Sequence, residues 1–164
     1  MTTTPETSET PETPRTPAGW LPPRPVIHAA WIIHRAIHRA SGGRIGLRPA
    51  SEKVWGMMRL KTIGRKSGRE RAAILGYYED GPNFVTMAMN GWGKPEPAWW
   101  LNLQANPDTT VELHDRTLAV HGRAATPEER PRLWKLWRRY DGDQLDAWAA
   151  RRPTETAVVI LEPR

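Results

Sequence analysis

Hydrophobic residues between positions 57 and 89 fall in short runs that turn-forming residues interrupt. The apolar runs are MMRLKTI, AAILGYY and NFVTMAM, with a Gly-Arg-Lys-Ser-Gly stretch and a Gly-Pro pair between them. Runs of this length separated by glycine-containing turns are typical of consecutive antiparallel strands. The alternation in TTVELHDRTLAVHGRAA predicts two more strands joined at Asp115 and Arg116, and TAVVILEP predicts a final, central strand.

Helical patterns lie between and after these strands. Pro97 suits the first position of a short helix that Asn106 and Pro107 end. Thr126 and the Pro-Glu-Glu that follows predict the N-cap and acidic first turn of a second helix, and a third short helix holds Leu145 and Trp148. About six strands with short helices, and no strand–helix alternation, predict an α+β fold: a small antiparallel barrel with peripheral helices.

The first 49 residues have a different character. Residues 1–19 are rich in Thr, Pro and Glu, and we expect this tail to be disordered because it has few apolar groups to bury. It also lacks the pattern of a secretory signal. Residues 20–49 predict an amphipathic basic helix and linker, too short to span a membrane. That helix either packs on the domain formed by residues 50–164 or makes a peripheral membrane contact through residues 26–40.

Composition narrows the chemistry. With 164 residues and no cysteine, the chain can hold one domain without disulfides or thiolate metal sites, and we expect no metal. The absence of cysteine fits a cytoplasmic protein. The alternative is a protein bound peripherally at the inner face of the membrane. The net charge of +6 suits an anionic partner. No helix-turn-helix or RNA-binding pattern is present, so we expect no nucleic acid, although a non-catalytic basic module that binds nucleic acid or lipid stays an alternative.

A basic turn separates the first two predicted strands. Two glycines and Ser67 lie among Arg65, Lys66, Arg69 and Arg71. Glycine lets the backbone turn tightly and leaves amides accessible, while Arg and Lys donate to anionic oxygens. The turn therefore suits a phosphate or carboxylate, or is an ordinary solvated hairpin turn.

The short helix after Pro97 places an aromatic ring and an amide together. Trp99, Asn102 and Leu103 share one side by their spacing, which directs Trp100 elsewhere. Both tryptophans are alternatively core residues, with Asn102 bracing a loop.

Together, the motifs TxGRKSG and PAWxLNLxANP resemble the deazaflavin-dependent nitroreductase family, from about Ala50 to the C-terminus. The resemblance implies a split β-barrel oxidoreductase with coenzyme F420 as its cofactor. It implies hydride transfer from the reduced deazaflavin to a small hydrophobic, electron-poor acceptor: a quinone, nitroaromatic or enone. A split barrel that binds FMN or haem is the alternative.

The resemblance also implies site residues. Contacts to the phosphate and acidic tail would come from Arg65, Lys66, Ser67, Arg71 and the adjoining strand residues Ala72, Ala73, Ile74, Leu75 and Gly76. The deazaflavin ring would lie between Met87, Ala88, Met89 and Asn90 on one side and Ala98, Trp99, Trp100, Leu101 and Asn102 on the other. Tyr140 is the candidate catalytic residue, near the acceptor. The nitroreductase branch has a Ser-Lys pair where Met89 and Asn90 stand, and a tyrosine at the place of Gly76.

Overall fold

The β1–β2 hairpin carries the basic turn, and four further strands close a barrel with it. In the computed structural model, residues 46–164 and the isolated positions 23, 25, 26, 29 and 33 are described. The strands are β1 (Gly56–Ile63), β2 (Glu70–Asp80), β3 (Asn83–Met87), β4 (Asp108–Glu112), β5 (Thr117–Ala124) and β6 (Val158–Pro163). The helices are α1 (Ala98–Ala105), α2 (Arg130–Asp141) and α3 (Gln144–Ala149), with a 3₁₀ turn at Asn90–Trp92.

The strands form a closed barrel in the order β1-β2-β3-β6-β5-β4, and every neighbouring pair is antiparallel. This confirms the predicted six-stranded barrel with short peripheral helices. The turns also fall where the sequence predicts them: β2 and β3 meet at Gly81, whose φ is 61°, and β4 and β5 meet around Asp115. The final strand β6 is central, because it pairs with β3 and β5.

The barrel interior is filled by alternate strand residues and by one side of α1. Met58 and Leu60 of β1 have no exposed surface and contact Leu103 of α1 within one cluster. Side chains at every second strand position point inward, so the period of two seen in the sequence becomes the barrel core. Burial of these residues holds α1 against the barrel and fixes the position of the site described below.

A second apolar layer covers the outside of β2, β3 and β6. Leu133 and Trp137 of α2 and Leu145 of α3 pack there against Tyr78 and Val85. Ahead of α2, the Thr126 amide donates to Glu129 and the Glu129 amide donates to the Thr126 hydroxyl, which is a reciprocal capping box. Regular helix begins later than predicted, at Arg130, because Pro127 to Glu129 form a turn. The start of α1 is shifted in the same way, with Pro97 as its N-cap.

Most of the N-terminal predictions fall outside the described residues. This holds for the disordered tail at 1–19 and for most of the amphipathic helix at 20–49. Val26 and Ile33 within it are helical and exposed. Among the residues described, no helix has the length and apolar character needed to cross a membrane.

Candidate functional site

The basic turn between β1 and β2 is tight and closed by its own backbone. The amides of Ser67 and Gly68 donate to the carbonyl of Gly64 at 3.0 and 2.8 Å, and the Gly64 amide donates to Arg69. Gly68 has a φ of 63°, and a Cβ on Gly64 would lie 2.6 Å from the Ser67 Oγ. The two glycines of the motif are therefore required by the backbone conformation and by close packing.

This geometry corrects the expectation of accessible amides for most residues of the turn. The amides of Arg65, Ser67, Gly68 and Arg69 all donate to acceptors within the protein. A tight turn satisfies these donors internally, so they are not available to an anion. What the turn presents to solvent is the Ser67 hydroxyl and its cationic side chains.

The cations of the turn have no carboxylate partner among the described residues. Across the part of the chain that the structure describes, no carboxylate pairs with any of four exposed side chains: Arg65, Lys66, Arg69 and Arg71. By contrast, Arg59 on β1 binds Glu112 through two hydrogen bonds of 2.9 and 2.7 Å. A cluster of four positive charges without counter-charges favours an anionic ligand.

Helix α1 is joined to this turn by one buried side chain. The Arg65 amide donates to Asn102 Oδ1 at 3.1 Å, and Asn102 Nδ2 donates to Thr62 Oγ1 at 3.3 Å. Asn102 and Thr62 are both buried. The two motifs that carry the sequence resemblance are therefore in direct contact, and the amide of Asn102 is used for that contact.

The two tryptophans of α1 do not point in the directions that the sequence predicts. Trp100 is buried in the barrel core together with Leu103, whereas Trp99 is only partly buried and packs against the same cluster. The prediction that Trp100 points away from Leu103 was wrong, because a spacing of three residues places both on the same side of a helix. Ala98 is exposed and Leu101 is half-buried.

Strand β2 changes partner along its length. Glu70 to Tyr77 pair with β1, and Tyr78 to Asp80 pair with β3. Near the end of the first stretch, the Thr86 hydroxyl of β3 donates to the Gly76 carbonyl at 2.7 Å. Within the described residues, the β3-facing edge of β2 from Glu70 to Tyr77 has no strand paired with it. The predicted contact strand from Ala72 to Gly76 lies along this unpaired edge, with Ile74 and Leu75 buried.

The end of β3 approaches the same region and bends. Met87 and Ala88 are buried, Met89 is half-buried and Asn90 is exposed. Asn90 has a φ of 47°, and its side-chain amide donates to the Pro95 carbonyl at 3.0 Å. The side chains of Met87 and Ala88 belong to the protein core.

Tyr140 lies on α2, in the outer layer. Its ring lies 6.2 Å from that of Tyr78, and its hydroxyl donates to the Ser51 carbonyl at 3.1 Å. Burial raises the pKa of the Tyr140 phenol, so the hydroxyl is protonated near neutral pH. Tyr78 lies seven residues along β2 from Arg71, a length of about 20 Å at the rise of an extended strand. Tyr140 packs on Tyr78 and so lies toward the far end of β2 from the basic turn.

Sequence reasoning missed a stacked arrangement above Gly76. The Trp55 indole lies against this glycine, where a Cβ would be 2.9 Å from Trp55 Cε3. The guanidinium of Arg48 lies 4.9 Å from the Trp55 ring and donates to the Trp55 carbonyl. A cavity of about 440 Å³ adjoins this stack, lined by Gly46, Leu47, Arg48, Trp55 and Met57. The glycine in an otherwise apolar strand was the one signal in the sequence.

The barrel, the unpaired strand edge and the cationic turn define a split-barrel protein whose exposed cations are suited to an anionic ligand. Residues 31–163 match the family described as F420H(2)-dependent quinone reductase. The chain is 29% identical over 135 residues to an F420H(2)-dependent quinone reductase of Mycobacterium tuberculosis (strain ATCC 25618 / H37Rv), with 80% of this chain and 89% of the relative covered.

Two solved structures are also similar to this chain. A structure titled F420-H2 dependent reductase (FDR-A) is 26% identical with a TM-score of 0.58, over 71% of this chain and 100% of that chain. A domain-swapped dimer with 24% identity and a TM-score of 0.61 covers 84% of this chain and 99% of that chain, and it supports the fold.

The chain belongs to the F420H(2)-dependent quinone reductase family. It is therefore an oxidoreductase, and this membership implies coenzyme F420 as its cofactor rather than FMN or haem. The residues present fit that group, because the resemblance implies an anionic phosphate and acidic tail, and the turn holds four cations that no described carboxylate pairs with.

Proposed function

We propose that this protein transfers a hydride from reduced coenzyme F420 to an apolar, electron-poor acceptor of the quinone, nitroaromatic or enone class. The observation that carries the proposal is the Asn102 bridge, which holds the cationic turn against the aromatic helix α1. When bound, the coenzyme supplies the hydride. The protein then has to bind, orient and shield the reactants.

Binding of the acidic end is assigned to the turn. Arg65, Lys66 and Arg71 supply positive charge, and the Ser67 hydroxyl supplies a hydrogen-bond donor. The side-chain amide of Asn102 is already hydrogen-bonded, so Asn102 acts by keeping the turn in place.

We assign the deazaflavin ring of the coenzyme to the space beside the unpaired edge of β2. We propose that the backbone from Ala72 to Gly76 forms one wall of this space. The segments Met87–Asn90 and Ala98–Asn102 form the others, with Trp99 as the aromatic side chain that retains exposed surface. An aromatic wall and backbone groups orient a planar ring without adding charge to it.

The acceptor is assigned to the cavity beside Trp55. Its volume of about 440 Å³ and its Leu47, Met57 and Trp55 side chains suit an apolar ring, and Arg48 is the cation at its border. The cavity adjoins Gly76, at the end of the proposed coenzyme wall. Tyr140 or a water molecule returns the proton. The Tyr140 hydroxyl reaches this region through its hydrogen bond to Ser51.

The test is to mix the purified full chain with reduced coenzyme F420 and a panel of quinones, nitroarenes and enones, and to follow the return of the oxidised chromophore. Oxidation that depends on protein and acceptor supports the proposal. Tighter binding of FMN than of coenzyme F420 in a parallel fluorescence titration, with no oxidation by any acceptor, would refute it.

A further inference from the structure

Arg152 is a buried cation that the proposed reaction does not use directly. It follows α3 and precedes β6, and its side chain has no exposed surface. Arginine is almost never fully buried unless partners satisfy its charge and its five N–H donors. The partners of this side chain therefore show what it holds.

Those partners lie mainly in one loop. Arg152 Nη1 donates to the Ala88 carbonyl at 2.5 Å, and Nε donates to the Gly93 carbonyl at 3.1 Å. Nη2 pairs with Glu96 Oε1 at 2.7 Å, and Nη1 also donates to the Thr156 hydroxyl. A planar guanidinium can make all these contacts at once, which an ammonium group cannot. Arg152 thus fixes both ends and the middle of residues 88–96.

The loop it fixes has an unfavourable backbone. Asn90 and Trp92 have φ angles of 47° and 60°, a conformation that residues with side chains rarely adopt. Such residues persist where the surrounding structure over-determines them, and they concentrate at functional sites. Arg152 provides that constraint through its contacts with Ala88 and Gly93 on either side of the strained residues.

The same loop connects the two segments proposed to enclose the deazaflavin ring. It leaves β3 at Met87 and reaches Pro97, the N-cap of α1. We propose that Arg152, neutralised by Glu96, is a positioning residue that sets the distance between the end of β3 and the start of α1, and so the placement of the ring. This inference rests on the proposed function. The cations for the acidic tail lie elsewhere, on the β1–β2 turn.

The test compares Arg152→Met and Glu96→Gln with the wild-type chain in two measurements. In the ligand-free protein, hydrogen exchange is expected to quicken at residues 88–96 and to stay unchanged at the turn, residues 64–69. In single-turnover oxidation of reduced coenzyme with a quinone, the rate is expected to fall by up to about 100-fold, while coenzyme affinity changes by less than about 3-fold, since a misplaced ring loses orientation and keeps its charged contacts.

Arg123→Met is the control, because Arg123 is likewise an arginine paired with carboxylates, here Glu129 and Glu162, but contacts no part of this loop. Equal rate losses in the Arg123 and Arg152 variants at the same melting temperature would overturn the proposal, as would unchanged exchange in residues 88–96. If Arg152→Met does not fold, Glu96→Gln and Arg152→Lys decide by the same criteria. A wild-type chain that binds no coenzyme refutes the proposed function, and the exchange measurement still reports whether Arg152 holds the loop.

Discussion

The backbone amide of Arg65 donates a hydrogen bond to the side-chain carbonyl of Asn102, between elements 37 residues apart. Asn102 is 5% exposed, and its other polar atom donates to Thr62. A single amide side chain therefore joins the cationic turn to the aromatic helix. The separation of the two proposed halves of the coenzyme site depends on this side chain.

Asn102→Leu is expected to weaken coenzyme binding by about 10-fold or more and to lower the free energy of unfolding by about 1–3 kcal/mol, because the Arg65 amide and Thr62 hydroxyl lose their partner. Fluorescence titration and urea denaturation measure the two effects. Thr62→Val is the control, since it preserves the bond between Arg65 and Asn102. An affinity loss as large in Thr62→Val as in Asn102→Leu would contradict this role for the Arg65 bond.

Lys66→Ala is expected to weaken coenzyme binding, and the loss should be largest at low salt because the contact is between exposed charges. The measurement is the dissociation constant across a salt series. Lys135→Ala removes the same charge from the exposed side of α2 and should bind like wild type. Wild-type affinity of Lys66→Ala at low salt would count against the turn as the anion site.

Gly76→Ala is expected to raise the KM for the quinone several-fold with little change in coenzyme affinity. The added Cβ would lie 2.9 Å from the Trp55 ring, so the ring must shift, and this changes the shape of the cavity that Trp55 lines. Steady-state kinetics with varied acceptor measures this change. Trp55→Ala enlarges the cavity and is expected to change KM values most for bulky acceptors. Unaltered acceptor KM values in both variants would place the acceptor elsewhere.

Asp141→Asn is expected to stabilise the protein near neutral pH. Burial raises the pKa of this carboxyl, which accepts a hydrogen bond from Trp137 and ends α2, where negative charge opposes the helix dipole. A carboxyl whose pKa is raised in the folded state lowers the free energy of unfolding once the pH exceeds the pKa of the same group in the unfolded chain. At about pH 3 the carboxyl is protonated in both states, so this loss of stability disappears. Melting temperatures at both pH values test this: the gain should appear near neutral pH and vanish in acid. A gain of the same size in acid would show that ionisation is not the cause.

The parts of the fold that follow local rules could be predicted from the sequence. The strands, their turns at Gly81 and Asp115, and the short helices result from periodicity and from residues with defined backbone preferences. Long-range contacts could not be predicted in the same way. Nothing near Arg152 in the sequence indicates that its guanidinium reaches Ala88 and Glu96, because burial depends on how distant segments close around it.

The candidate site shows the same limit. The proximity of the turn and α1 was expected from a resemblance that includes both motifs. The hydrogen bond between Arg65 and Asn102 could not be predicted, because it depends on how two distant segments pack together. The packing of Trp55 on Gly76 was missed because twenty residues separate them along the chain, and a glycine in a strand does not say which side chain fills the space.

The unpaired edge of β2 has a consequence for how copies of this protein meet. An exposed strand edge can hydrogen-bond to the same edge of another molecule, which leads to aggregation. Here Arg69 and Arg71 stand at the start of that edge, and no described carboxylate pairs with either, so their like charges oppose the approach of two such edges. The positive charges that suit the site to an acidic ligand thereby also oppose self-association of the ligand-free chain.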